Sequence, residues 1–166
     1  IIHGNNPTLP LESLQTMMDA KLRQLEPIEY TAAELAWAET IRESFGDDAP
    51  DQAQSREVED YAVLTGYGST DVGDVSRAVP TVSVRAATWV PGTAAHSWQA
   101  VAASGHSYGT KGTQHAAKAM MLAAVELYTN PQLREEAKAE FIAARGEDYV
   151  YESLLGDRAP PLDYRR

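Results

Sequence analysis

The metal chemistry open to this 166-residue chain rests on four histidines and its carboxylates, because the sequence contains no cysteine. Without thiolates, a bound ion must sit on imidazole nitrogen and carboxylate oxygen. His96 stands apart from the other histidines. It follows a β-branched run, Thr81 to Thr88, and sits among Pro91, Gly92, Ala94, Ala95 and Ser97. Such small residues let a backbone turn sharply and present an imidazole at a strand end, where sites in α/β proteins gather. The pattern alone leaves His96 open between an ordinary loop residue and a ligand. His106, in "SGHSYGT", reads more readily as a loop residue. His3 at the terminus and His115 near the start of an apolar helix fit surface or packing roles better than ligation.

Asp71 and Asp74 in "GSTDVGD" also carry two readings. They can cap a turn, with carboxylates accepting backbone N–H groups and glycine supplying positive φ. Alternatively they put carboxylates in a loop on one side of the strand-like run, with His96 on the other. A hydrolytic two-metal centre needs several ligands and a carboxylate base near the metal-bound water. The sequence has no HxD pair and no HExxH helix, so it cannot assemble that centre by itself.

The elements that must position these residues follow from periodicity. Leu11 to Leu25 has apolar residues at Leu11, Leu14, Met17, Met18, Leu22 and Leu25, the spacing of an amphipathic helix. In "EYTAAELAWAETIRESFG", Thr31 with Glu34 three residues later is a capping-box pattern, Gly46 is a stop, and Leu35, Ala38, Ile41 and Phe45 form the buried stripe. Residues 47–60 hold six acids against one Arg and read as a solvated, mobile acidic loop. The period then changes. Tyr61 to Leu64 and Thr81 to Thr88 read as strands, the second alternating Val82, Val84 and Ala86 with Ser83 and Arg85. A helix from about Thr113 to Tyr128 presents a broad apolar face, Ala117, Met120, Met121, Ala124, Val125 and Tyr128, expected to be deeply packed. Asn130-Pro131 breaks it, and Pro131 opens a last helix with Leu133, Ala137, Phe141 and Ala144 on one stripe and Gly146 as its stop. The tail after Glu147 reads as irregular. The expected fold class is therefore α/β, with helices packed on a small partial sheet.

Composition narrows the function classes. A net charge of −10 and no basic stripe argue against nucleic acid, since phosphate binding needs clustered Lys and Arg. No apolar run approaches the roughly 20 residues of a membrane helix, and no secretory leader is present, so the expectation is a cytoplasmic protein with no membrane partner. The chain starts Ile1-Ile2-His3 without Met, and "IIHGNNPTLP" reads like a strand end running into a turn. Two expectations fit that start: a piece of a longer chain, or a trimmed terminus around a complete small domain.

"GSTDVGDVS", "PTVSVRAATWVPGTAAHSWQAVA" and "KGTQHAAKAMMLAAVELYTNPQLREEAKAEF", in that order, resemble the C-terminal part of the aminobenzoyl-glutamate hydrolase B-subunit group. That group lies within the metallopeptidase family of aminoacylases and carboxypeptidase G. Upstream, "NPTLPLESLQTMMDAKLRQLEPIEYTAAELAWA" resembles the segment that follows the family's inserted lid domain. The resemblance runs from about Asn6 to Phe141. One departure is Thr110 before Lys111-Gly112, where relatives usually carry a His. The acidic loop is another.

The resemblance implies that residues 1–166 are a C-terminal segment of a split, zinc-peptidase-like catalytic domain. It implies His96 as the final metal ligand and Gly68, Ser69, Thr70 and Asp71 as a loop shaping the substrate pocket. The complete enzyme would use two divalent ions, Zn or Mn, to hydrolyse an amide of an N-acyl amino acid or aminobenzoyl-glutamate-like small molecule. The remaining ligands and the catalytic Glu belong to an N-terminal half absent here. The implied partners are that half, the lid domain and, when complete, further copies in a homo-oligomer. This chain alone is expected to bind no ion tightly and to be inactive. The alternative is a non-catalytic binding or assembly piece that pairs with a partner chain.

Overall fold

A computed structural model describes residues 4–47, 49–63, 66, 68, 70–159 and 162–163. Two compact units share the chain. The first takes Ile1–Leu14, Ala62–Val82 and Gln132–Arg166, and the second Gln15–Tyr61 and Ser83–Pro131. Among the described residues the regular structure is helical: α1 Glu12–Arg23, α2 Ala32–Arg42, α3 Val72–Ala78, α4 Trp98–Ser104, α5 Ser107–Thr129 and α6 Pro131–Arg145. Short 3-10 turns occupy Glu43–Phe45 and Gln52–Arg56.

The expected α/β class, helices on a partial sheet, is thereby corrected, since no described residue belongs to a strand. Thr81 to Thr88 carries no regular structure despite its β-branched content, Thr88 N turns back to Ala86 O at 2.9 Å, and no other described segment forms a ladder with it. A strand is a property of a pair, and a β-rich sequence specifies only one member. Of the expected strand at Tyr61 to Leu64, Leu64 lies outside the described residues and the rest is irregular. The "GSTD" turn leads into α3 instead of a strand. Gly73 in that helix lies so close to the Asn6 carbonyl that a Cβ would collide with it. Tight packing of this kind leaves no trace in local propensity.

Capping chemistry positions α2. The Thr31 side chain accepts from Glu34 N, and Glu34 Oε2 accepts from Thr31 N at 2.7 Å, closing the capping box. Gly46 ends the following turn at φ 78°. The buried stripe differs from the expected one. Glu34, Ala38 and Ile41 are buried, whereas Leu35 is 40% exposed. At the start of α1 the Glu140 carboxylate of α6 accepts from the backbone N–H groups of Glu12 and Ser13 and from Ser13 Oγ. Burial pushes the Glu140 carboxyl up, and these donors together outweigh it and leave it below its ordinary value.

The second unit's core is Ala38, Ile41, Val90 and Tyr108, flanked by Tyr30, Trp37, Phe45 and Ala102. Gly109 and Gly112 let α5 lie directly on the backbone of Ala87 and Thr88, where any Cβ would strike a carbonyl. The expected apolar face of α5 is not the packed one. Met120, Met121, Val125 and Tyr128 are 55 to 87% exposed, and Ala119 and Ala123 are buried in their place. The acidic 47–60 segment is not structureless. Asp51 accepts from Ala53 N at 2.9 Å and starts the Gln52–Arg56 turn, which buries Ser55.

Candidate functional site

The loop that carries His96 is fixed at both ends by short polar contacts. At its start Thr93 N and Thr93 Oγ1 both donate to Val90 O, at 3.1 and 2.6 Å, and Gly92 turns at φ 93°. At its end Ser97 caps α4: its Oγ accepts from Ala100 N at 3.2 Å and donates to Ala94 O at 2.6 Å. Between these anchors His96 is exposed and adopts φ 61°, the left-handed region that a non-glycine residue enters at some cost. Its ring makes no hydrogen bond or ion pair among the described residues. The sequence pattern of small residues around an imidazole thus corresponds to a held loop with a presented side chain.

The "GSTD" residues lie in the first unit, His96 in the second. The expectation that Asp71 and His96 share a site therefore concerns residues that no single unit holds together. Ser69, like His3, lies outside the described residues. Gly68, Thr70 and Asp71 are exposed. Thr70 Oγ1 accepts from Val72 N at 3.3 Å, and the Asp71 carbonyl accepts from Asp74 N and Val75 N. The Asp71 carboxylate itself caps nothing. Asp74 is committed locally: its Oδ1 accepts from Asn6 Nδ2 at 2.6 Å and from Asn6 N at 3.3 Å.

His106 and His115 have structural surroundings. His106 caps α5, with Nδ1 accepting from Tyr108 N at 3.1 Å, and its ring stacks on Trp37 at 3.9 Å. His115 is half-buried; burial, aided by the charge of Lys118, holds its imidazole below the ordinary value. As for a metal, no group of three or more His, Asp or Glu side chains among the described residues could hold an ion. One exposed imidazole does not by itself make a metal centre.

A dense polar cluster forms around a residue that sequence reasoning does not single out as a site. Glu34, legible in the sequence only as a capping residue, is 6% exposed. Its Oε1 accepts from Ser107 Oγ at 2.7 Å, and its Oε2 accepts from Lys111 Nζ at 2.6 Å. The Lys111 ammonium, then the Thr31 N–H and the Ser107 hydroxyl, hold the Glu34 carboxyl down at about 2. Lys111 also donates to Glu29 O at 2.7 Å. Beside this cluster Tyr30 and Tyr108 stack at 4.2 Å and 8°. Neither hydroxyl meets strict hydrogen-bond geometry among the described residues, although the Tyr30 hydroxyl lies close to Ser55 and to Tyr108, and burial, then the neighbouring Tyr108, pushes the Tyr30 phenol up. The i, i+4 spacing of Ser107 and Lys111 on one face of α5 is the signal that could have drawn them to a common acceptor. The Ser107 hydroxyl and the Lys111 ammonium of α5 both donate to Glu34 of α2, which makes the cluster a clamp between α2 and α5.

Comparison with curated proteins finds 35% identity over 88 residues with the B subunit of p-aminobenzoyl-glutamate hydrolase from Escherichia coli (strain K12). The match covers 52% of this chain and 18% of the relative, so the chain spans less than a fifth of that protein's length. No protein-family model matches, and no solved structure matches. Among the described residues no helix is long and apolar enough to cross a membrane. The similarity is to a protein named as one subunit of a hydrolase, and that coarse likeness is as far as the comparisons reach.

Proposed function

We propose that this chain is a segment of a metal-dependent amidohydrolase acting on an N-acyl amino acid or on p-aminobenzoyl-glutamate itself. The observation that carries the reading is the 88-residue similarity to the hydrolase subunit. The presentation of His96, held at both ends of its loop and free of internal partners, supports it. In this reading His96 supplies one ring nitrogen to a divalent ion, Zn or Mn, whose other ligands come from outside the described residues. Thr70 and Asp71, with Gly68 and Ser69, shape the approach of the amide substrate. The isolated chain binds no metal tightly and turns over nothing, because a single ligand leaves the ion largely to water.

The test uses the full-length polypeptide reconstituted with Zn or Mn, with p-aminobenzoyl-glutamate as substrate. His96→Ala is expected to lose bound metal and hydrolysis together, by more than the roughly 10–100-fold typical of residues that merely orient a ligand. His115→Ala serves as the control and keeps both. Full metal content and turnover in His96→Ala would overturn the assignment.

A second reading is favoured by a specific observation, the exposed Met120, Met121 and Val125 on α5. Apolar side chains grouped on one helix face suit an assembly role for the chain without catalysis of its own. Metal content and turnover of the full-length protein separate the two readings.

A further inference from the structure

Charge is missing from one long stretch of this chain. Charged residues make up 23% of the sequence, yet none occurs from residue 86 to residue 110, the stretch that holds the His96 loop, α4 and the start of α5. Within it α4 turns Ala100 and Ala103 inward. On its outer side Trp98 is 61% and Val101 73% exposed, and their i, i+3 spacing puts them next to each other on one face. Trp37 and Trp89 are half-buried, so Trp98 is the tryptophan offered to solvent. The helix that carries it is fixed: Ser97 caps its start, and Gln99 Nε2 donates to Ser44 Oγ at 3.1 Å. An exposed indole on a fixed support gains both apolar burial and ring stacking when another ring covers it.

Trp98 stands two residues after His96, so their Cα atoms are within about 7 Å of each other. In an aroyl amide the ring is bonded directly to the carbonyl that is cleaved. Cleavage at His96, as the hydrolase reading holds, therefore brings that ring beside residue 98. The other half of an amide such as p-aminobenzoyl-glutamate carries carboxylates, which are held by cations and charge-assisted hydrogen bonds. Residues 86–110 supply no Lys or Arg, so this stretch suits the uncharged acyl side of the substrate and not the amino-acid side. We propose that Trp98, with Val101 beside it, is the platform on which an aromatic acyl group of the substrate stacks, and that it makes the enzyme selective for aroyl over small aliphatic acyl amides. The proposal rests on the hydrolase reading and adds a substrate class to it.

Two measurements on the full-length polypeptide test it. With Zn or Mn bound, kcat/KM is compared for p-aminobenzoyl-glutamate and N-acetyl-glutamate. Trp98→Ala is expected to lower the first at least about tenfold and the second less than about twofold, with bound metal unchanged. Trp98→Phe, which keeps a ring, retains most of the first. Equal losses on the two substrates, or no loss on either, would overturn the platform and leave the hydrolase reading standing. Failure of the wild type to cleave either amide would overturn the hydrolase reading instead, and the second measurement then judges the surface by itself. Metal-free protein labelled with 5-fluorotryptophan is titrated with p-aminobenzoate and followed by fluorine NMR, the Trp98 signal being identified by its loss in Trp98→Phe. The expected result is a saturable shift of that signal, absent with acetate or glutamate at the same concentration. An unmoved Trp98 signal, or an equal shift with glutamate, would overturn the proposal.

Discussion

The Glu34 clamp and the His96 loop belong to the same structural unit and differ in how much of their polar chemistry is turned inward. At Glu34 both carboxylate oxygens are taken by Ser107, Lys111 and Thr31, and the charge sits 6% exposed between two helix starts. At His96 the surrounding backbone and hydroxyls are bonded to one another, while the imidazole is left to solvent. A buried carboxylate with both oxygens filled holds elements together and has little left for a ligand. A side chain that its own loop supports without engaging has its full donor and acceptor capacity available. The richer cluster is therefore the structural one, and the sparse loop is the better place to look for function.

The largest test of this contrast lies beside the clamp. Tyr108 is fully buried and stacked on Tyr30, so Tyr108→Ala should cost about 3–5 kcal/mol in urea unfolding, much of a small unit's total stability. Tyr108→Phe removes only a hydroxyl that meets no strict hydrogen-bond geometry and should leave stability within about 0.5 kcal/mol or raise it. A large loss in Tyr108→Phe would mean that the hydroxyl is bonded after all, to the neighbouring Tyr30 hydroxyl or through water.

Next in size is Glu34. Its carboxyl is held at about 2 in the folded chain against an ordinary 4.5, so the folded state prefers the ionised form. The stabilisation is complete above pH 4.5 and is lost as pH falls from 4.5 toward 2. Glu34→Gln should lower stability at neutral pH by about 2 kcal/mol and flatten that acid limb of the stability profile. Unchanged acid sensitivity in the variant would assign the limb to other carboxylates and weaken the clamp reading.

How far the sequence announces these features depends on whether each is local. The capping box at Thr31, the stop at Gly46 and the start at Pro131 are fixed by residues within one turn of each other, and all three occur where the spacing places them. What fails is long range. The β-branched run Thr81 to Thr88 implies a sheet, but no second described segment pairs with it. The apolar character of Met120, Met121 and Val125 suggests a buried face on α5. The side that is packed is instead the one with Gly109, Gly112, Ala119 and Ala123, where small residues allow close approach. Glu34 is legible as a cap and not as a clamp, since its partners Ser107 and Lys111 lie 73 and 77 residues away. The small-residue setting of His96 is legible; its left-handed backbone is not, because φ is set by the turn around it.

That backbone gives the smallest and most discriminating prediction. At φ 61° a Cβ crowds the following carbonyl, a conformation costing roughly 1–2 kcal/mol for an ordinary residue and less for His, which tolerates it better. Glycine escapes that crowding and loses about 0.5–1 kcal/mol through the extra freedom of its unfolded chain. At most loop positions Ala is therefore the more stable replacement. At position 96 the order should reverse, with His96→Gly more stable than His96→Ala by a few tenths of a kcal/mol to about 1 kcal/mol, read from paired urea midpoints. Wild type should lie close to both, because the imidazole contributes no internal bond. If Ala proved more stable than Gly, the loop would relax out of the left-handed region when the ring is removed, and the ring itself would be holding the turn. If wild type exceeded both by more than about 1 kcal/mol, His96 would be engaged inside the chain as Glu34 is, and the contrast between the two regions would fail.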